Sequence, residues 1–255
     1  MNSRVLTAAA LASLTTIASA AEAPVDRVVI DPTTERVLFD ACAYLRSAER
    51  FSAQFDASFD DVLLDGTKVQ YTRRSELAIV RPDRLRLDVE DDRGERSIYY
   101  DGRSVTVYRP GSGLYAVLQA PDNLDAMLDL AAEKGISLPL DDLLRMQPCA
   151  VLGERLLTGT YAGLHYLDGD WYHHLLLATD AVDVQMWVAR GEAPTIRKVV
   201  ITYTEKPGAP QYSALISDWD FTPNIDETFF KFVPLEGARQ VAFRGDGATQ
   251  GGPEE

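Results

Sequence analysis

The sequence predicts a mainly β fold of the α+β class, a curved antiparallel sheet of about eleven strands with one helix in front and a helical hairpin inserted midway. Three observations carry this. Two long runs of residues alternate apolar and polar with period 2. Two stretches, one before the first run and one between the runs, switch to the helical period of 3.6. Pairs of Asp, Gly and Pro punctuate the alternation where turns are needed.

The leading helix follows Asp31-Pro32, with Thr33 or Thr34 placed to cap it and its end near Arg50. Its apolar face is Val37, Leu38, Ala41, Cys42, Leu45 and Ala48. The period then drops to 2: Phe51, Ala53, Phe55, Ala57 and Phe59 alternate with Ser52, Gln54, Asp56, Ser58 and Asp60, a strand with one apolar face. Asp65-Gly66 turns the chain, and Val69, Tyr71, Leu77 and Ile79 keep the same phase in the next strand. Leu85, Leu87 and Val89 form a third. Strands at residues 96–100, 104–108 and 114–118 complete an antiparallel meander.

The interruption spans Asp122 to Lys134, where Leu124, Met127, Leu128 and Ala131 recur at helical spacing until Gly135 ends the helix. A second short helix, Leu140 to Met146, carries Leu143 and Leu144. Strands resume near Leu156 and continue over residues 161–167, 171–178, 182–189, 195–204 and 212–221, with an added edge strand at Phe229 to Val233. Clean alternation means one covered and one wet face. Three helices are too few to wrap a sheet on both sides, so a curved sheet with helices on its concave side satisfies every apolar stripe.

The chain opens with Arg4, an apolar and small-residue run from Val5 to Ile17, and Ala18-Ser19-Ala20, the order of a signal peptide cleaved after Ala20. The expected organisation is residues 1–20 as leader, 21–243 as one domain and 244–255 as a disordered, Gly-rich acidic tail. The expected location is the periplasm. No cysteine adjoins the cleavage site, so no lipid anchor is expected, and no other segment suits a stable membrane anchor. The net charge of −14 becomes −15 once Arg4 leaves with the leader, which argues against nucleic acid as a partner. Cys42 and Cys149 are the two cysteines; an oxidising compartment favours a disulfide between them, while a buried thiol also suits the helix face of Cys42.

Several stretches resemble DUF2092, a family of predicted bacterial periplasmic proteins similar in fold to the lipoprotein carriers and insertases of the Lol system, LolA and LolB. They are DPTTERVLFDACAYLRSAERFSAQFD from residue 31, VLLDGTKVQY from 62, RPDRLRLDV from 81, YYDGRSVTVYRPGSGLYAVLQAPDNLDAMLDL from 99, GISLPLDDLL from 135 and HHLLLATDAVDVQMWVARGEAP from 173. The resemblance implies an open β half-barrel of about eleven strands with a helical lid over a hydrophobic cavity. In such a fold Phe51, Phe55, Phe59, Val69, Tyr71, Leu77, Ile79, Leu85 and Leu87 face the concave side, and Leu124, Met127, Leu128, Leu143, Leu144 and Met146 form the lid. An ordinary filled core fits the same pattern.

Arg73 breaks the apolar phase of its strand. Inside a cavity its guanidinium would hold a ligand's ester or carboxylate or tie down the lid; a bulge near Arg73 and Arg74 would instead leave both in solvent. His173 and His174 are strand neighbours facing opposite ways, which does not suit a shared metal, and no metal site is expected. Asp168 with Asp170 and Asp218 with Asp220 form the acidic pairs a hydrolase would need, though solvated charge is the plainer reading. Trp171, Tyr172, Trp187 and Trp219 read as packing aromatics, with a carbohydrate or peptide platform as the alternative. No nucleophile elbow, phosphate-cradling loop or dinucleotide fingerprint appears, and no cofactor or catalytic residue is expected. Two functions fit: a carrier or sensor of lipid or of an acylated protein, and an envelope interaction module whose filled barrel meets a protein partner.

Overall fold

The computed structural model describes residues 29–243 apart from 137 and 139, so the expected signal peptide and the expected disordered tail lie outside the described residues. A single sheet organises the chain. Its first run is β2 (Arg50–Val62), β3 (Lys68–Val80), β4 (Arg84–Asp91), β5 (Gly94–Tyr100), β6 (Ser104–Arg109) and β7 (Leu114–Gln119). Its second is β8 (Thr158–Leu167), β9 (Asp170–Ala178), β10 (Val182–Ala189), β11 (Ile196–Tyr203) and β12 (Gln211–Asp220). These are the eleven long strands the alternation predicts. Two-residue strands β1 (Val29–Ile30) and β13 (Arg239–Gln240) are added, each parallel to its neighbour.

The strand order is β1-β8-β9-β10-β11-β12-β2-β3-β4-β5-β6-β7-β13, an open sheet in which β12 joins the two meanders by pairing with β2. The two runs therefore end at opposite edges. The chain leaves β7 at one edge and must enter β8 at the other, so the intervening segment has to cross the whole face of the sheet. It does so as α2 (Leu124–Glu133), α3 (Asp141–Leu144) and α4 (Ala150–Arg155).

Helix α1 (Pro32–Ser47) begins one residue before the expected Thr cap: Asp31 accepts hydrogen bonds from the backbone N–H groups of Thr33 at 2.8 Å and Thr34 at 3.1 Å, and Pro32 occupies the first turn, where its missing N–H costs nothing. The α2 helix is capped by Asn123 and closed at Gly135, whose φ of 76° suits a residue without Cβ. There the N–H of Ile136 reaches Ala131 O at 2.8 Å and that of Gly135 reaches Ala132 O at 3.1 Å, the paired closure of a helix end that swings Ile136 back into the core.

Val37, Leu38, Ala41 and Leu45 of α1 pack in one core with the odd-numbered face of β2 and β3 and with Leu124, Met127 and Leu128. Two expectations need correction. The segment Phe229 to Val233 is not a strand: Asp226 caps a 3-10 turn at Glu227–Phe230, Phe230 is buried, and Phe232 packs between the rings of Tyr99, Tyr108 and Tyr115 at 5.0–5.5 Å. Aromatic burial outweighs edge pairing there, and the outer face of β5–β7 gains a cover. The other departure is α4, which occupies residues to which the sequence pattern assigns no element.

Candidate functional site

Roof and sheet do not meet everywhere. Between α2–α4 and the second half of the sheet lies an apolar cavity of about 540 Å³. Val182, Val184 and Met186 of β10 and Val199 and Ile201 of β11 form its floor, and Leu128, Leu143 and Leu152 its roof. Asp141, Asp142, Arg155 and Thr179 complete a mostly apolar lining, and its volume is in the range of small-molecule sites.

The roof is fastened on the opposite side. The disulfide between Cys42 of α1 and Cys149, with an S–S distance of 2.02 Å, ties the start of α4 to α1. Arg81 donates to four carbonyls, Leu45 O at 3.2 Å, Ala48 O at 2.7 Å, Leu144 O at 3.4 Å and Arg145 O at 2.8 Å, joining the ends of α1 and α3. Asp142 accepts from the N–H groups of Val151 and Leu152 and so caps α4 from outside it; burial pushes its carboxyl above the ordinary value. Arg145 bridges Asp129 and Asp141, and Asp125 accepts from the backbone N–H of Met146 at 2.8 Å.

A second cavity of about 760 Å³ adjoins the first, sharing Gly135, Ile136 and Tyr203 with it. Here the wall is charged. Arg73 of β3 and Arg96 of β5 both reach Asp91 Oδ2, at 3.1 and 3.2 Å, with Asp91 almost wholly buried between them. Burial alone would raise the Asp91 carboxyl, but the N–H of Arg93 and the charges of Arg96 and Arg73 outweigh it and hold the group below its ordinary value. Arg73 also lies over the Phe59 ring, 4.8 Å from its centre. Tyr212, on the same wall, is pushed up to about 12 by burial and so keeps its proton.

The residues expected at the cavity distribute unevenly. Phe51, Ile79 and Leu85 are fully buried in the packed core and line neither large cavity. Phe55, Leu77 and Leu87 meet Leu144 around a gap of about 30 Å³. Phe59 and Arg73 line the charged cavity. Val69 and Tyr71 are half-buried near the strand end, where Tyr71 packs on Phe59 at 5.7 Å. Of the expected lid, Leu128 and Leu143 face the apolar cavity, Leu124 and Met127 are packed into the core, and Met146 is half-buried.

Arg73 departs from the bulge reading. Pairing of β2 with β3 runs unbroken from Arg50 opposite Val80 to Val62 opposite Lys68, so Arg73 stays in the inward phase while Arg74 turns out to Asp56. Asp91, directly opposite on β4, supplies the counter-charge that makes this tolerable. The floor of β10 and β11, the α4 residues, and Arg93, Arg96 and Arg109 are site residues missed in the sequence. A signal for three charges existed: Asp91 shares the phase of Leu85, Leu87 and Val89, Arg96 that of Ile98 and Tyr100, and Arg109 that of Val105 and Val107.

The other candidate groups lie elsewhere. His173 and His174 point to opposite faces, as expected; His173 pairs with the Tyr161 hydroxyl at 2.9 Å, and His174 lies between His165 at 3.1 Å and Gln185 at 3.2 Å, stacked on Trp187. Burial lowers the pKa of both. Asp168 and Asp170 are engaged by different arginines, Arg197 and Arg190, and a register shift separates Ser217 from Asp220 next to Asp218. Trp219 donates to Ile196 O and stacks on Phe221, whereas Trp171 is half exposed against Tyr166.

Residues 34–244 match the family model described as a predicted periplasmic protein, DUF2092. No curated protein matches the chain. Among solved structures, it is similar to an uncharacterized conserved protein from Thermus thermophilus, at 7% identity over 82% of this chain and 99% of that one, with a TM-score of 0.48. The lipoprotein LppX of Mycobacterium tuberculosis matches at 12% identity, 77% and 100% coverage and a TM-score of 0.48. A LolA superfamily protein from Nitrosomonas europaea matches at 10% identity, 78% and 97% coverage and a TM-score of 0.42. No helix among the described residues is long and apolar enough to cross a membrane.

Proposed function

Since the chain belongs to the DUF2092 family of predicted periplasmic proteins, we propose that it binds an apolar ligand, a lipid or the acyl chain of a lipoprotein, as a carrier or sensor in the envelope. The observation that carries this is the apolar cavity of about 540 Å³ between the helical roof and β10–β11. Each methylene moved there from water contributes about 0.8 kcal/mol, so a chain of modest length gains enough to offset its ordering. Met186 on the floor adapts to irregular contents. An interaction module with a filled interior, the other function that suits the sequence, would have no use for a space this large.

Native mass spectrometry of the protein purified from a bacterial envelope tests the reading directly. A co-purifying acyl lipid is expected, together with a melting temperature that rises when lipid vesicles are added to stripped protein. A ligand-free protein indifferent to vesicles would overturn it. Leu128→Asp should abolish uptake by placing a charge in the apolar roof. Because Leu128 is buried, Ala132→Trp, at an exposed position on the cavity mouth, provides the same test by obstruction without disturbing the core.

A further inference from the structure

We infer that the cargo is recognised by its linkage: the hydroxyls of Tyr203 and Tyr212 donate to the ester or amide carbonyl that joins an acyl chain to its head, with the chain itself in the apolar cavity. The inference rests on the carrier reading above and names the group that sets an acyl lipid apart from an ether or a bare hydrocarbon. Its starting point is a pair of phenols with nothing to bond to. Tyr212 is 7% exposed, yet its hydroxyl meets no hydrogen-bond partner among the described residues, and neither does that of half-buried Tyr203. Buried polar rings elsewhere in the protein show the usual arrangement: the Tyr100 hydroxyl donates to Pro121 O at 2.6 Å, and Trp219 Nε1 to Ile196 O at 3.0 Å. A buried hydroxyl left without a partner costs free energy that the same ring without its oxygen would not.

The two hydroxyls also stand where a linkage would lie. The inward phase of β11 runs Val199, Ile201, Tyr203 and that of β12 runs Ile216, Ala214, Tyr212, so each strand closes its apolar face with a tyrosine at the same end of the sheet. Register brings the pair together, because Ile201 opposes Tyr212 and packs with both tyrosines in one small cluster. Tyr203 lines both cavities and Tyr212 the second. A chain laid along Val199 and Ile201 therefore brings the end nearest its head to the phenols. Ser75 of β3, buried and likewise unbonded among the described residues, borders a small gap with Tyr212 and adds a third hydroxyl. Burial raises the pKa of both tyrosines, so they keep their protons and act as neutral donors. A neutral donor suits a neutral acceptor, and every ester- or amide-linked chain carries a carbonyl at this point along its length. The guanidinium of Arg73 on the same wall is already paired with Asp91 and plays no part in this contact.

The test uses the full chain stripped of lipid and loaded with a fluorescent fatty acid. Hexadecanoyl lysophosphatidylcholine and its hexadecyl ether analogue, both below their micellar concentrations, compete for the site; they share a head and a chain length and differ in one carbonyl. The ester should displace the probe at about tenfold lower concentration than the ether, the scale of one buried hydrogen bond. In Tyr203→Phe/Tyr212→Phe that ratio should fall to about twofold or less with the ether's affinity unchanged. The Tm of the lipid-free variant should match the parent, because no bond within the described residues is lost. Equal displacement by ester and ether would overturn the inference while sparing the carrier reading. So would a ratio that survives in the variant, or a variant Tm several degrees below the parent, which would give the hydroxyls a partner inside the protein. Failure of the fatty acid to bind at all would instead remove the carrier reading beneath it.

Discussion

Arg81 stands at the C-terminal ends of two helices at once. Leu45 and Ala48 offer it the last carbonyls of α1, Leu144 and Arg145 those of α3, and its ring neighbour Phe51 lies 5.2 Å beneath the guanidinium. Terminal carbonyls have no partner within their own helix, and a positive charge there also complements the helix dipole. Burial pulls its pKa down from the usual arginine range, with the charge of Asp125 opposing the effect. Arg81→Met keeps the stem and removes every donor, so it should cost about 3 kcal/mol, seen as a fall in Tm of roughly 6–12 °C. Arg81→Lys, with one ammonium for four carbonyls, should recover less than half. A Tm within a degree of the parent for Arg81→Met would show the clasp to be idle. Neither this residue nor the Arg73–Asp91–Arg96 group is conspicuous as a motif. Their charges are legible only by phase, as interruptions of an inward apolar set, and phase by itself does not say whether a break is a bulge or a counter-ion across the strand.

At the scale of elements, the strands and the two longer helices are legible because their periods are clean and their caps local: Asp31, Asn123 and Gly135 act within their own helices. Helix α4 is not, since six residues with Gly153 among them are too few to show a helical period or to hold a helix on their own. It is held by distant groups instead, the Asp142 carboxylate at its start and the Cys42–Cys149 disulfide beside it. Cys149 itself has a φ of 64°, a left-handed backbone that a non-glycine residue adopts only when its surroundings impose it. The disulfide closes a loop with a sequence separation of 107, for which the chain-entropy model gives about 4–5 kcal/mol. Cys42→Ser/Cys149→Ser should therefore lower Tm by roughly 9–18 °C. Amide exchange should rise first in α4 and α3, which the disulfide fastens, and leave β2 and β3 protected. Uniform exchange across sheet and roof would show that the disulfide stabilises the whole chain without specifically holding the roof.

Across the whole molecule, the concave face is one surface with two fates. One end of its β2–β5 half is filled, with Phe51, Ile79, Leu85 and Tyr100 all 0% exposed, while the other end of those strands opens on the charged cavity. Its β10–β11 half is hollow under the same roof. The alternation identifies which side chains face inward in both halves with equal clarity, so VDVQMWVA of β10 looks no more like a cavity floor than the stretch from Phe51 to Phe59. What separates them is the path of the crossing segment from one sheet edge to the other and the points where Arg81 and the disulfide fasten it, which are tertiary facts. The two halves should accordingly answer the same substitution differently. Ile79→Ala opens a void among atoms on every side and should cost about 3–5 kcal/mol. Ile201→Ala enlarges a space already empty of partners on one side, and about 1 kcal/mol is expected in lipid-free protein. Urea midpoints at unchanged m-value measure both. Adding an acyl ligand should raise the cost at Ile201 and leave that at Ile79 as it was, because only the former wall then gains packing. Equal costs in the lipid-free protein would mean that the β10–β11 half is as filled as the other.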